Sequence, residues 1–189
     1  MNLGCSLVVF TLGCLTGALG QLHCTPESFK TNAFDVFSFR MIHAYLDFNR
    51  SLELYEYYNG TSIYFVDFNN QTIYINNGDG TCGKYVNSDM ETLPVLFSKA
   101  EELWHITTPT KVDITGYSMH NGSFGLRTIL TEPVLCQSVC MSYLINDELK
   151  LAFLYDGPYD DTYGPADVQK VLDVKAEFEA SSCIPVNEL

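Results

Sequence analysis

The chain predicts a mostly β protein with antiparallel strands, and three observations carry that prediction. Residues 63–68 and 72–75 are short runs of β-branched and aromatic residues flanking Asn69-Asn70-Gln71, a hairpin pattern. Residues 51–58 form another such run and stop at Asn59-Gly60, a strong turn signal. Beyond the middle of the chain, strand-like runs recur at 111–118, 124–132, 138–146 and 148–155, with Asn146-Asp147 as the turn between the last two.

Taken in order, residues 1–20 carry no charged side chain, are apolar from Leu7 to Leu19, and end in the small-x-small triplet Ala18-Leu19-Gly20. This predicts a signal peptide, leaving residues 21–189 as a single secreted domain. Residues 33–48 partly alternate as a strand, with Phe37, Phe39 and Met41 on one face and Ser38 and Arg40 on the other. With the run at 51–58 and the hairpin, this makes a four-stranded meander. Asn76-Asn77-Gly78-Asp79-Gly80 then turns the chain before Cys82. Between residues 88 and 105, apolar residues are interleaved with acids, and Pro94 stops any early helix. A loop is expected there, with a short helix over 95–103. Residues 156–165 read as a Gly/Pro/Asp loop, and 167–178 as a short helix. No internal repeat and no interdomain linker is seen.

Ten Lys and Arg against 23 Asp and Glu give a net charge of −13. Such acidity argues against nucleic acid or an anionic membrane surface as partner. It permits weak calcium association or contact with a mineral surface, and equally fits simple solubility. No apolar stretch reaches spanning length. Cys5 and Cys14 leave with the predicted signal, so Cys24, Cys82, Cys136, Cys140 and Cys183 remain. In an oxidising compartment so wide a spread means long-range disulfides, and the odd number leaves one thiol unpaired or intermolecular. Sequons at Asn49, Asn59, Asn70 and Asn121 predict N-glycosylation and exposed loops.

Catalytic signatures are missing. His23, His43, His105 and His120 make no metal-ligand spacing, Gly122-Ser123-Phe124-Gly125 is a sequon in a turn and not a nucleophile elbow, and no phosphate-cradling glycine loop is present. Cys136 and Cys140 lack thioredoxin-type spacing. Asp156, Asp160, Asp161 and Asp167 could supply oxygen ligands to calcium but meet no EF-hand pattern, which favours a solvated acidic loop. No catalytic residue, no structural metal site and no cofactor is expected, weak calcium aside; the protein reads as a non-enzyme.

Four segments resemble the ependymin-related family, secreted glycoproteins related in fold to bacterial LolA-like lipoprotein carriers. They are Cys24-Thr25-Pro26; Tyr64-Phe-Val-Asp-Phe with Thr72-Ile-Tyr-Ile and Cys82-Gly-Lys; Thr131-Glu-Pro-Val-Leu-Cys136-Gln-Ser-Val; and Asp167-Val-Gln-Lys-Val-Leu-Asp-Val with Phe178 and Ser181-Ser-Cys183. The chain departs from the family pattern by lacking a proline between Phe178 and Cys183 and by the extra Cys140. The resemblance implies two stacked, curved antiparallel sheets with an apolar pocket and one or two short helices. It also implies Cys24–Cys136 and Cys82–Cys183 disulfides, with Cys140 left over. Homodimers, calcium and extracellular or shell matrix are associated with the family.

Twelve Tyr and twelve Phe either fill the core or line a pocket. Under the resemblance they line one, and strand parity nominates Phe37, Phe39, Met41, Tyr64, Tyr74 and Trp104. Two readings follow: a secreted carrier of an apolar ligand such as a fatty acid or lipid, or a structural or adhesive component of an extracellular or mineralised matrix. A lipocalin barrel fits less well, because the lone tryptophan, Trp104, is mid-chain and lacks the Gly-x-Trp context.

Overall fold

The computed structural model describes residues 28–58, 62–132, 137–160 and 163–187. The predicted signal peptide, Cys24, Cys136, Asn59 and Asp161 lie outside the described residues. The chain makes β1 (Phe29–Asp35), β2 (Arg40–Asp47), β3 (Leu52–Tyr57), β4 (Ile63–Asp67), β5 (Thr72–Asn76) and β6 (Cys82–Val86). Helix α1 (Leu93–Ser98) is followed by β7 (Glu101–Thr107), β8 (Asp113–Asn121), β9 (Phe124–Glu132), β10 (Gln137–Ile145) and β11 (Glu148–Asp160). Helix α2 (Pro165–Ala180) and the two-residue β12 (Ile184–Pro185) close the order.

The fold is mostly β with two helices, as the sequence predicts. The strands implied to form two stacked sheets are hydrogen-bonded in one continuous order, β12-β6-β5-β4-β3-β2-β1-β11-β10-β9-β8-β7. β1 joins the halves by pairing with both β2 and β11. The sheet is strongly curled. β3 and β11 are separated in that order by two strands, so on a flat sheet they would stand roughly 14 Å apart at ~4.8 Å per strand. Yet the Tyr55 and Phe153 rings stack 4.0 Å apart. Side chains from the two halves that meet on one face make that face concave.

Ile42, Tyr55, Phe68, Phe124, Tyr143 and Phe153 are buried in this concave core. Helix α1 lies on the same face: Leu93, Leu96 and Phe97 are buried there, and Phe97 meets Phe48 edge-on at 5.3 Å. Helix α2 covers the convex side of β2–β4. Phe178 stacks on Tyr74 at 5.0 Å and on Phe65 at 6.0 Å, with Leu52, Leu54, Val171 and Val174 around them. β3 to β5 are therefore covered on both faces, which is why residues 63–75 read as almost unbroken apolar runs.

Three hairpin turns share one device. Asp35, Asp47 and Asp67 each end a strand, are buried, and accept backbone N–H bonds from the turn that follows. Asp35 accepts from Phe37 (2.9 Å), Asp47 from Arg50 (3.0 Å), and Asp67 from Asn69 and Asn70 (both 3.1 Å). Four residues after each aspartate comes a positive φ: Phe39 at 56°, Ser51 at 54° and Gln71 at 55°. The triplet Asp-Phe-Asn at 47–49 and again at 67–69 is the trace of this device, a repeat too short to stand out in the sequence.

Four boundaries differ from expectation. The strand predicted over 33–48 is broken by the turn between β1 and β2, so Phe37 and Phe39 have no strand parity. The helix expected over 95–103 ends at Ser98, and Leu103 and Trp104 lie in β7. Pro94 starts that helix, in the first-turn position that needs no N–H. The loop expected over 156–165 is strand as far as Asp160, because β1 continues to pair with β11 there. Helix α2 begins at Pro165 and is longer than predicted, because the Asp167 carboxylate accepts the Gly164 N–H at 3.0 Å and secures its first turn.

Asp67 also receives Lys175 of α2 at 2.6 Å while fully buried. Removing it orphans the turn amides and the lysine together, so Asp67→Ala is expected to cost about 3–5 kcal/mol in urea unfolding. Lys99→Ala removes only the exposed pair with Glu91 and should cost less than about 1 kcal/mol. Equal midpoints for the two variants would contradict this account of the turns.

Candidate functional site

Where the resemblance implies a deep pocket, the described concave residues pack on one another. At their centre sits a polar cluster. Tyr55 of β3 donates its hydroxyl proton to Glu53 Oε2 at 2.9 Å, and its oxygen lies 3.0 Å from the Tyr143 hydroxyl and 3.1 Å from that of Tyr155. Glu53 is fully buried and its Oε1 has no hydrogen-bond partner among the described residues. Burial pushes its pKa up to about 8, against the opposing pull of the Tyr55 hydrogen bond, so the carboxyl is protonated at neutral pH. Burial likewise raises Tyr55.

The convex face carries an open site. Among the described residues, β7 to β11 and β1 have no helix over their convex side comparable to α2 on β2–β4. In register across seven strands, Met41 faces Phe34, Phe34 faces Leu154, Leu154 faces Cys140, Cys140 faces Ile129, Ile129 faces Gly116, and Gly116 faces Trp104. No charged residue interrupts this row. At its β7 end, Trp104 lies flat over Gly116: a Cβ on Gly116 would come within 2.5 Å of Trp104 Cε2. Beside the ring opens a cleft of about 240 Å³ walled by Leu103, Ile129, Cys140 and Ser142, with Arg127 at its edge. Arg127 is exposed and makes no ion pair with a described carboxylate. Burial pushes the Cys140 thiol up to about 11, so it stays protonated at physiological pH and is a poor nucleophile.

A second cleft, of about 310 Å³, lies where the β1–β2 turn meets the ends of β3, β4 and β5. Ser38, Arg40, Tyr57, Ser62, Tyr64, Asn76 and Asn77 line it. It is polar: the Tyr57 hydroxyl donates to buried Asp35, and the Arg40 guanidinium sits 5.9 Å above the Tyr57 ring.

The six nominated pocket residues do not converge. Phe37 and Phe39 are 52% and 77% exposed on the β1–β2 turn, because that turn interrupts the strand from which their parity was taken. Met41 is exposed at the far end of the convex row. Tyr64 lines the polar cleft, and Tyr74 is buried under α2. Only Trp104 reaches the apolar cleft, which it lines together with Cys140. The signals that sequence reading passed over were Gly116, whose missing side chain seats the ring, and Arg127.

Of the two implied disulfides, Cys82–Cys183 is formed and bridges a sequence separation of 101. It ties the start of β6 to the residue before β12, which pairs in parallel with β6. Among the described sequons, Asn49 is exposed. Asn70 Nδ2 donates to Asp67 at 2.8 Å, and Asn121 Nδ2 to the Asp89 carbonyl at 2.8 Å. Asp167 is committed to Lys30 and to the start of α2. Among the described residues no group of three His, Cys, Asp or Glu converges as a metal ion requires, and no helix is long and apolar enough to cross a membrane.

No family model and no curated protein matches the chain. Among solved structures, it is similar to an uncharacterized conserved protein from Thermus thermophilus, at 8% identity over 85% of this chain and 90% of that one, with a TM-score of 0.41.

The buried carboxyl makes stability pH-dependent. Its folded pKa of about 8 lies above the ordinary 4.5, so the folded state holds the extra proton between these values. Glu53 therefore contributes stability that is complete below about pH 4.5 and is lost as pH rises through 8. The slope approaches roughly 1.4 kcal/mol per pH unit. Urea midpoints measured from pH 5 to 9 should fall in the wild type, and Glu53→Gln should flatten that fall. An identical slope in both would contradict the assignment.

Proposed function

We propose that the protein is a secreted, non-catalytic carrier of an apolar ligand such as a fatty acid or lipid, bound on the convex face at Trp104 and not inside the curl. The observation that carries this reading is the seating of the Trp104 ring over Gly116, which leaves an apolar cleft beside it with an Arg127 guanidinium that no described carboxylate neutralises. In a chain of net charge −13, an unpaired cation beside apolar walls suits an apolar molecule with a carboxylate head. The predicted signal peptide, the sequons and the ependymin-related resemblance support secretion as a glycoprotein.

A second reading, a structural component of an extracellular matrix, is favoured by the packing of the described concave residues: rings that pack on one another leave their faces to each other and not to a guest. Weak calcium contact with the acidic surface belongs to that reading.

Trp104 is the chain's only tryptophan, so its fluorescence reports the cleft directly. Titrating a long-chain fatty acid into the protein should change the emission saturably at one equivalent. Gly116→Val, whose side chain must push the ring aside, should weaken binding by roughly tenfold or more. Folded protein with unchanged Trp104 emission at fatty-acid levels up to ~100 μM would overturn the carrier reading.

A further inference from the structure

The polar cleft at the ends of β2 to β5 is built differently from the apolar one, and the proposed carrier does not use it. Arg40 begins β2, Tyr57 ends β3 and Asn76 ends β5, and antiparallel pairing brings the three to one end of the sheet. Arg50 pairs with Asp47, whereas Arg40 pairs with no described carboxylate and is the one charged side chain lining the cleft. Its guanidinium is held 5.9 Å above the Tyr57 ring, and no described residue takes its side-chain N–H groups. Buried Asp35 accepts the hydroxyl protons of both Ser38, at 2.7 Å, and Tyr57. Burial, and then this hydrogen bond, hold the Tyr57 phenol well above its ordinary range, so it keeps that proton. With their protons committed to Asp35, Ser38 and Tyr57 offer oxygen lone pairs to a molecule in the cleft.

We propose that this cleft binds a small hydroxylated carboxylate of the sugar-acid class, at a second ligand site independent of the one at Trp104. Two kinds of group in the lining set that chemistry. Arg40 presents a fork of donors, which a planar carboxylate matches with two parallel bonds. Ser38 and Tyr57 require donors in return, and a bare carboxylate has none, so hydroxyls on the same ligand supply them. The Asn76 side-chain oxygen already accepts the Gly78 N–H at 2.9 Å, which leaves the Asn76 NH2 for a ligand oxygen. An acyl chain would strip water from these groups and return no hydrogen bond. At about 310 Å³ the cleft stands at the lower end of small-molecule sites. A net charge of −13 repels a polyanionic chain, whereas a single carboxylate meets the local cation.

Calorimetric titration of the full chain with glucuronate should saturate with a dissociation constant of ~1 mM or tighter. Glucose, which has the hydroxyls without the carboxylate, and acetate, which has the reverse, should each bind more weakly by roughly tenfold or more. Arg40→Gln removes the fork and should weaken glucuronate binding by roughly tenfold or more. Asn77 lines the cleft and is exposed, so Asn77→Asp puts a repelling carboxylate there without disturbing the core, and should weaken glucuronate as well. Folded wild-type protein that shows no saturation by ~10 mM glucuronate would overturn the site. So would acetate or glucose binding as tightly as glucuronate, or glucuronate binding that neither substitution weakens. Trp104 does not line this cleft, so Arg40→Gln should keep the fatty-acid response of Trp104, and Gly116→Val should keep glucuronate binding. Failure of this site and failure of the carrier reading are thereby told apart.

Discussion

The stack of Tyr55 on Phe153 closes the curl, and the rest of the molecule is arranged around it. β3 and β11 are distant neighbours in the strand order, yet their rings touch at 4.0 Å. Once the sheet bends that far, its described concave side chains pack as core, with Leu93, Leu96 and Phe97 of α1 buried among them. The hydroxyl of Tyr55 cannot be left bare in such surroundings, and Glu53, Tyr143 and Tyr155 gather around it. A protonated carboxyl is the consequence, because ionising a group so far from water costs more than one phenol hydrogen bond returns.

The convex face then divides in two. α2 seals β2–β4 through Phe178, and the Cys82–Cys183 disulfide ties the chain after that helix to β6. The other half of the face is left with a row of apolar residues in register. That division leaves an open apolar row on the outer surface of the sheet, outside the cover of α2. Trp104 occupies the end of the row because Gly116 opposite it has no side chain, and the same position puts it on the open edge strand.

The hairpins were legible in the sequence because Asn69-Asn70-Gln71 and Asn146-Asp147 announce turns that local chemistry dictates. Helix α1 was misplaced by several residues. Apolar residues recur on both sides of Ser98-Lys99-Ala100-Glu101-Glu102, and periodicity alone did not mark that polar stretch as the boundary between helix and strand. The nominated pocket failed for a different reason. Phe37 and Phe39 were assigned by alternation through residues 36–39, where a buried aspartate folds the chain into a turn with a positive φ at Phe39. Tyr74 and Trp104 are both aromatic strand residues, and only tertiary packing decides that α2 covers one and nothing described covers the other. Of the cysteine pairing, Cys82–Cys183 was reached through a family resemblance, not through spacing, since five cysteines admit many pairings.

The proposed carrier holds an apolar carboxylate in the convex cleft beside Trp104. Organic extraction of wild-type protein and of Gly116→Val, each purified from a eukaryotic secretion host and followed by mass spectrometry, tests it most directly. The account predicts a near-stoichiometric fatty acid or lipid from the wild type and a marked loss from the variant. A blank extract from folded wild-type protein that also takes up no added fatty acid would contradict it.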